Sequence, residues 1–335
     1  MKISIIGSGS WGTAIAIMLS ENGYNVTLWS YTQNECDEIK KHKENRAFLP
    51  SFHIPESVQY TNDIKICANA DIIVCALPSF AVRETMRQLA PYVKNEQKIL
   101  NISKGLESNS LLTLSAVLRS ILPNCDISVM SGPSHAEEVA RKIPTTNVVA
   151  SSSQKTAEFI QDAFMNPFFR VYTSSDIIGV ELGGSLKNVI ALCAGISDGL
   201  GFGDNTKAAL MTRGMYEITR LGVAMGANAE TFGGLSGIGD LIVTCTSMHS
   251  RNRRAGILIG QGKTPEEARA EIKMVIEGIN TCHAAKFLSQ KMNVEMPIVN
   301  EAYAVLFEGK PPKDATLSLM TRYKRHETLF NFATF

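Results

Sequence analysis

The chain has 335 residues, 44% apolar and 19% charged, a profile that excludes disorder as the main state and permits a sizeable core. That length predicts two domains. Thirty-three basic residues face thirty-two acidic ones, a formal charge of +1. This balance argues against a dedicated nucleic-acid binder, while a small anionic ligand held by a few local cations stays possible.

In chain order, Lys2-Ile3-Ser4-Ile5-Ile6 is a β-branched run that reads as a buried strand. Gly7-Ser8-Gly9-Ser10-Trp11-Gly12 follows, then a helix from Thr13 to Asn22 with Gly23 suited to its C-terminal cap, then a strand from Asn25 to Trp29. Together they form a βαβ unit. The three glycines interrupt this apolar stretch too often for a signal-peptide core, and no run suggests a membrane span. Further strands are expected over Asp71–Leu77, stopped by Pro78, and over Lys98–Ile102, Ile127–Met130, Asn147–Ala150 and Phe169–Tyr172. Helices are expected from a cap at Ser79 to about Ala90, over Leu111–Ile121, and from Lys155 to Met165. The alternation predicts an α/β fold with a doubly wound, mostly parallel sheet of Rossmann type. After Ser175 the character changes: Asp176–Leu200, Thr206–Met225, Leu241–Ile259, Pro265–Glu277 and Cys282–Gln290 all read as helices. The expected division is an α/β domain over 1–178 and an all-helical domain over 179–335. Arg322-Tyr323-Lys324-Arg325 reads as a surface feature of the tail. The seven cysteines are odd in number and lack CxxC spacing, which predicts reduced thiols and no metal site.

GxGxxG is weak alone. Here Gly7, Gly9 and Gly12 follow a strand and open a helix, the context that makes the pattern a dinucleotide fingerprint. Gly7 permits the tight turn, Gly9 lets a pyrophosphate approach the backbone, and Gly12 lets helix and strand pack closely. The second strand ends Trp29-Ser30-Tyr31-Thr32, with no acid before Glu35. A carboxylate there would repel a 2′-phosphate, so its absence permits NADP, and the missing arginine means NADP is not demanded. Lys104 directly follows a strand, where ligands of open α/β sheets bind, although position alone also fits a surface lysine. Ser131-Gly132-Pro133-Ser134-His135-Ala136 ends another strand on that edge. Lys187 adjoins the apolar run Val189–Gly195, and desolvation of a lysine lowers its pKa toward neutrality, which suits a proton acceptor. A lysine snorkelling from the helix edge is the competing reading. Asp240 starts a helix that carries Thr244, as a functional group or as a cap. Ser250-Arg251-Asn252-Arg253-Arg254 offers forked donors for phosphate or carboxylate, or is a basic surface turn.

With these motifs in view, the chain resembles the bacterial NAD(P)-dependent glycerol-3-phosphate dehydrogenases from Lys2 to about residue 320. The resemblance rests on GSGSWGTAIA at 7–16, NRAFLP at 45–50, SKGLE at 103–107, SGPSHAEEV at 131–139, ELGGSLKNVIAL at 181–192, GLSGIGDLIVTC at 234–245, SRNRRAG at 250–256 and VIEGINT at 275–281. It implies interconversion of sn-glycerol 3-phosphate and dihydroxyacetone phosphate with NAD or NADP, with a lean to NADP, supplying glycerol 3-phosphate for phospholipid synthesis. It implies a homodimer. It places Ser10, Trp11, Tyr31, Phe48, Ala136, Val275 and Glu277 at the cofactor, and Lys104 and Arg251 at both cofactor and substrate. Gly132, Ser134, Asp240, Thr244, Ser250 and Asn252 would line the substrate site, with Lys187 as the proton acceptor. A related dehydrogenase of 3-hydroxy acids or a ketopantoate reductase is the nearest alternative. A non-catalytic dinucleotide sensor is a further one, disfavoured because binding alone does not need Lys104, Lys187 and Asp240 together.

Overall fold

The computed structural model describes residues 1–324 and 327, so Arg325 of the tail feature lies outside the described residues. Its main sheet is built from β1 (Lys2–Ile6), β2 (Asn25–Trp29), β5 (Gln59–Thr61), β6 (Ile72–Cys75), β7 (Lys98–Asn101), β8 (Asp126–Ser131), β9 (Thr145–Ala150) and β10 (Phe169–Ser174). Two short strands, β3 (Glu44–Asn45) and β4 (Leu49–His53), form a separate antiparallel ladder. The eight-stranded order is β10-β9-β8-β7-β6-β1-β2-β5. All neighbours run parallel except β8 and β9, which pair antiparallel with Ser131 opposite Val148. The sheet is therefore doubly wound and parallel-dominated, as the alternation of elements predicts. β5 was not expected, because Gln59-Tyr60-Thr61 is short and polar, fit for an edge.

Each strand of the central β1–β6–β7 block is apolar because both faces are covered. One face packs Ile3, Ile5, Val74 and Leu100 against the helix Ser10–Glu21. The other packs Ile6, Ile73, Cys75 and Ile99 against the helices Val82–Leu89 and Leu114–Ile121. Two expectations in this half need correction. Ser79 does not cap the following helix: a short 3-10 turn over Ser79–Ala81 precedes Val82–Leu89, and the Ser79 hydroxyl donates to Glu277 Oε2 at 2.6 Å. The helix Gln33–His42 was missed because it is polar on most faces; a capping box between Thr32 and Glu35 starts it.

From Ile177 onward the described elements are helical. Their core surrounds the helix Ile177–Gly199, where Leu186, Val189, Ile190, Ala191 and Leu192 are buried. That helix has the length and hydropathy of a membrane span, yet 89% of its most apolar window is buried inside the fold. It packs along the helix Arg251–Gly260 through glycines. A Cβ on Gly195 would strike the Arg253 carbonyl, and one on Gly256 would strike the Leu192 carbonyl. The backbones therefore touch, which brings Asn188 beside Asn252. The expected single helix Leu241–Ile259 is two, Asp240–Thr246 and Arg251–Gly260. The break falls at Ser250, whose hydroxyl accepts the Arg253 N–H at 3.2 Å and starts a new helix. The expected helix Pro265–Glu277 stops at Ile272, since Lys273 turns left-handed with φ of 54°. The last expected helix starts earlier, at Glu277, and runs to Lys291. Pro297–Phe307 and Pro312–Met320, both opened by proline, are additional helices.

Candidate active site

The phosphate loop is shaped by its glycines. Gly7 has φ of +119° and lies so close to β6 that a Cβ would stand 2.6 Å from the Ala76 carbonyl oxygen. A Cβ on Gly12 would overlap the Gly7 carbonyl, so helix and strand meet at contact distance. Gly9 differs: nothing lies within 4 Å of where its Cβ would be. The helix Ser10–Glu21 opens there without a side-chain cap, which leaves the N–H groups of its first turn for a ligand. An open cradle in front of uncapped donors fits a pyrophosphate, and Ser10 and Trp11 sit half-buried at its rim. A residue remote from it in sequence holds this loop. Asn45 Nδ2 donates to the Ser8 carbonyl at 2.6 Å and to Thr13 Oγ1 at 2.8 Å. Asn45 Oδ1 accepts the Phe48 N–H at 3.2 Å, which sets half-buried Phe48 beside the loop. Tyr31 stands exposed beyond β2 with its ring edge-on to Trp29. Glu35 is committed to the Thr32 backbone in its capping box.

Across the sheet edge two lysines share one carboxylate. Lys104 follows β7, and its Nζ donates to Asp240 Oδ2 at 2.7 Å, to the Gly132 carbonyl at 3.0 Å and to Ser134 Oγ at 3.3 Å. Lys187 projects from the helix Ile177–Gly199 and donates to Asp240 Oδ1 and to Thr244 Oγ1, the latter at 2.6 Å. The Thr244 hydroxyl donates to the Asp240 carbonyl at 2.6 Å, which orients it toward the ammonium. Asp240 is fully buried and Lys187 is 5% exposed. Burial pulls Lys187 down to about 7, with Lys104 acting in the same sense and Asp240 opposing. Lys187 is thus a buried lysine and not a snorkelling one, with burial favouring its neutral amine against the pull of Asp240.

The helix Arg251–Gly260 borders this cluster. Asn252 donates from Nδ2 to Asn188 Oδ1 at 2.8 Å and accepts the Gly278 N–H at the same distance. Its amide is held by both neighbours, one of them adjacent to Lys187. Arg251 is lowered by burial, while Glu277 and Glu137 act on it in the opposite sense. Glu277 accepts from the Ser79 N–H at 2.9 Å and from the Ser79 hydroxyl, so it crosses from the helical part to the end of β6. Val275 is half-buried in the segment before it, and Ala136 is buried at the start of the helix Ala136–Ala140. Of the expected residues, Lys104, Gly132, Ser134, Lys187, Asp240 and Thr244 are joined in one hydrogen-bonded cluster. Ser250 uses its hydroxyl as the cap of the helix Arg251–Gly260. The sequence offers Ser79 as a helix cap and Asn188 as part of the 181–192 motif, but the bonds they make here reach across 198 and 64 residues and leave no local signal.

An open phosphate cradle on one side of a sheet edge and a buried lysine pair on the other define a dinucleotide-dependent oxidoreductase. Comparison with known proteins narrows this. Residues 2–157 match the model described as NAD-dependent glycerol-3-phosphate dehydrogenase N-terminus, and residues 176–317 match its C-terminus. The chain belongs to this family. It is 56% identical over 328 residues to a glycerol-3-phosphate dehydrogenase [NAD(P)+] of Thermoanaerobacter sp. (strain X514), covering 98% of this chain and 99% of the relative. The crystal structure of a glycerol-3-phosphate dehydrogenase from Coxiella burnetii superposes with a TM-score of 0.93 at 38% identity, covering 96% of this chain and 99% of that one. A ketopantoate reductase from Ralstonia eutropha shares only the fold, at 16% identity and a TM-score of 0.61, covering 94% of this chain and 100% of that one.

Proposed function

We propose that the lysine pair bridged by Asp240 is where this chain, an NAD(P)-dependent glycerol-3-phosphate dehydrogenase, interconverts sn-glycerol 3-phosphate and dihydroxyacetone phosphate. The observation that carries the site assignment is Lys187, buried, bonded to Asp240 and Thr244, and lowered to about 7. When bound, NAD or NADP supplies hydride transfer between its nicotinamide and the substrate C2. In oxidation, neutral Lys187 takes the proton of the C2 hydroxyl; in reduction, its ammonium returns a proton to the oxygen on C2. Asp240 and Thr244 fix the Lys187 Nζ, and Lys104 adds a second cation that binds the anionic substrate beside them. Arg251 and Asn252 hold the substrate phosphate, Asn252 pre-set by Asn188 and Gly278. The open cradle at Gly9, with Ser10 and Trp11, receives the pyrophosphate.

The lean to NADP rests on two features of the β2 end: Tyr31 is exposed there, and the first acid, Glu35, is committed to its helix cap. Residues 1–178 would be the cofactor unit and 179–335 the catalytic unit of a cytoplasmic homodimer whose product feeds phospholipid synthesis. NADPH and NADH oxidation is followed with dihydroxyacetone phosphate, ketopantoate and a 3-keto acid in parallel. Turnover of dihydroxyacetone phosphate alone, with higher kcat/KM for NADPH, is the expected result. Turnover of ketopantoate or a 3-keto acid instead would overturn the reading.

A further inference from the structure

Glu181 takes no part in the chemistry above, yet it is only 2% exposed and lies on the same helix as Lys187. Its Oε1 accepts the Ser115 N–H at 2.8 Å and Asn101 Nδ2 at 3.3 Å, and its Oε2 accepts the Ser115 hydroxyl at 2.5 Å. Asn101 ends β7, and its Oδ1 accepts the Ser103 N–H at 3.2 Å while its Nδ2 also reaches the Ser103 carbonyl at 3.3 Å. One helical turn after Glu181, the Ser185 hydroxyl accepts the Gly105 N–H at 2.9 Å and reaches the Gly105 carbonyl at 3.0 Å. The residues on both sides of Lys104 are therefore tied to the helix that carries Lys187. A buried carboxyl with three donors is costly to assemble, and burial pushes Glu181 up. Packing alone would be served by an apolar residue at this place.

We propose that Glu181 is a positioning residue: acting through Asn101 and together with Ser185, it fixes the 103–105 turn so that Lys104 meets Asp240 in register with Lys187. The proposal rests on the reading of Lys104 as a cation of the substrate site. A single helix then sets the spacing of both lysines, one by direct attachment and one through a clasp. Such registration matters because a displacement of about 1 Å at a positioning group can cost about 100-fold in rate.

The test is a double-mutant cycle on the full chain, with KM for dihydroxyacetone phosphate, kcat and thermal stability measured for each variant. Glu181→Ala is expected to raise KM by about tenfold or more, with a smaller change in kcat. Glu181→Gln is expected to return KM to within about threefold, because its amide still accepts from Ser115 and Asn101. Ser185→Ala, which removes only the clasp on Gly105, raises KM in the same direction and serves if Glu181→Ala does not fold. In a Lys104→Ala background, Glu181→Ala is expected to add less than about twofold, since its effect passes through Lys104. Multiplicative effects, or a Glu181→Ala enzyme changed only in stability, would overturn the proposal. If Lys104→Ala itself leaves KM unchanged, the reading of Lys104 fails and the proposal falls with it; an altered KM in Lys104→Ala beside an unaltered KM in Glu181→Ala refutes the positioning role alone.

Discussion

Asp240→Asn keeps the shape of the side chain, removes its charge and leaves one acceptor oxygen for the two lysines. Lys187 sits at about 7 in place of its ordinary 10.5, the outcome of burial working against the Asp240 carboxylate. A carboxylate at contact distance is worth about 4 kcal/mol at the effective dielectric of a protein site. Its loss leaves the desolvation of Lys187 unopposed by that carboxylate and pushes its pKa further below 7. The ammonium form then becomes a small minority at pH 7. Reduction of dihydroxyacetone phosphate needs that proton, so kcat/KM at pH 7 is expected to drop by about tenfold or more, with the limb on which the rate falls as pH rises moved to lower pH. Oxidation of glycerol 3-phosphate needs the neutral amine and is expected to lose its inflection near neutrality, with a rate still lowered by the weaker hold on Lys104. The assay is NADPH absorbance in reduction and oxidation across pH 5 to 9, read as kcat/KM. A variant that is slower but keeps the wild-type inflection in both directions would show that Asp240 does not set the state of Lys187.

Other outcomes follow from the same geometry. Gly9→Val adds a side chain where nothing stands within 4 Å, so thermal stability is expected to hold while the dissociation constant for NADPH rises more than about tenfold; fluorescence titration checks it, and unaltered binding would place the pyrophosphate elsewhere. Arg251→Ala is expected to raise KM for dihydroxyacetone phosphate by about ten- to 100-fold with kcat less affected; steady-state kinetics with an unchanged KM would remove the phosphate contact. Glu217 is a stability prediction. It is buried, accepts the Ile298 and Val299 N–H groups, and is pushed by burial up to about 7 from 4.5. A raised carboxyl favours the protonated fold, so its contribution is full below pH 4.5 and is lost as pH rises through about 7. Glu217→Gln is expected to make the protein relatively more stable at pH 8 than at pH 5 by roughly 3 kcal/mol, read from denaturant melts. Equal pH dependence in both proteins would contradict this.

Much of the fold was legible because its signals are local. The β-branched run before Gly7 and the spacing of Gly7, Gly9 and Gly12 encode a turn that only that pattern permits. Lys187 was legible because a charge beside Val189–Leu192 contradicts its surroundings and demands a reason. What escaped depends on distance along the chain. Asn45 grips Ser8 from 37 residues away, and Glu277 reaches Ser79 across 198. Glu181 looks like any polar residue at the start of a helix until Asn101 and Ser115 are folded against it. The break before Arg251 escaped for another reason: helical periodicity continues through Ser247–Ser250, and only the cap shows that a second helix begins. The antiparallel turn of β9 against β8 is likewise invisible to alternation, which counts strands but does not give their sense.

The central claim is that Lys187 moves the proton. It is tested most directly by single-turnover reduction of dihydroxyacetone phosphate with Lys187→Ala loaded with NADPH. A fall in the rate of the chemical step by about 100-fold or more, with NADPH bound as tightly as by the unmodified protein, is the expected result. A chemical step near the normal rate in a folded, cofactor-bound Lys187→Ala enzyme would contradict it.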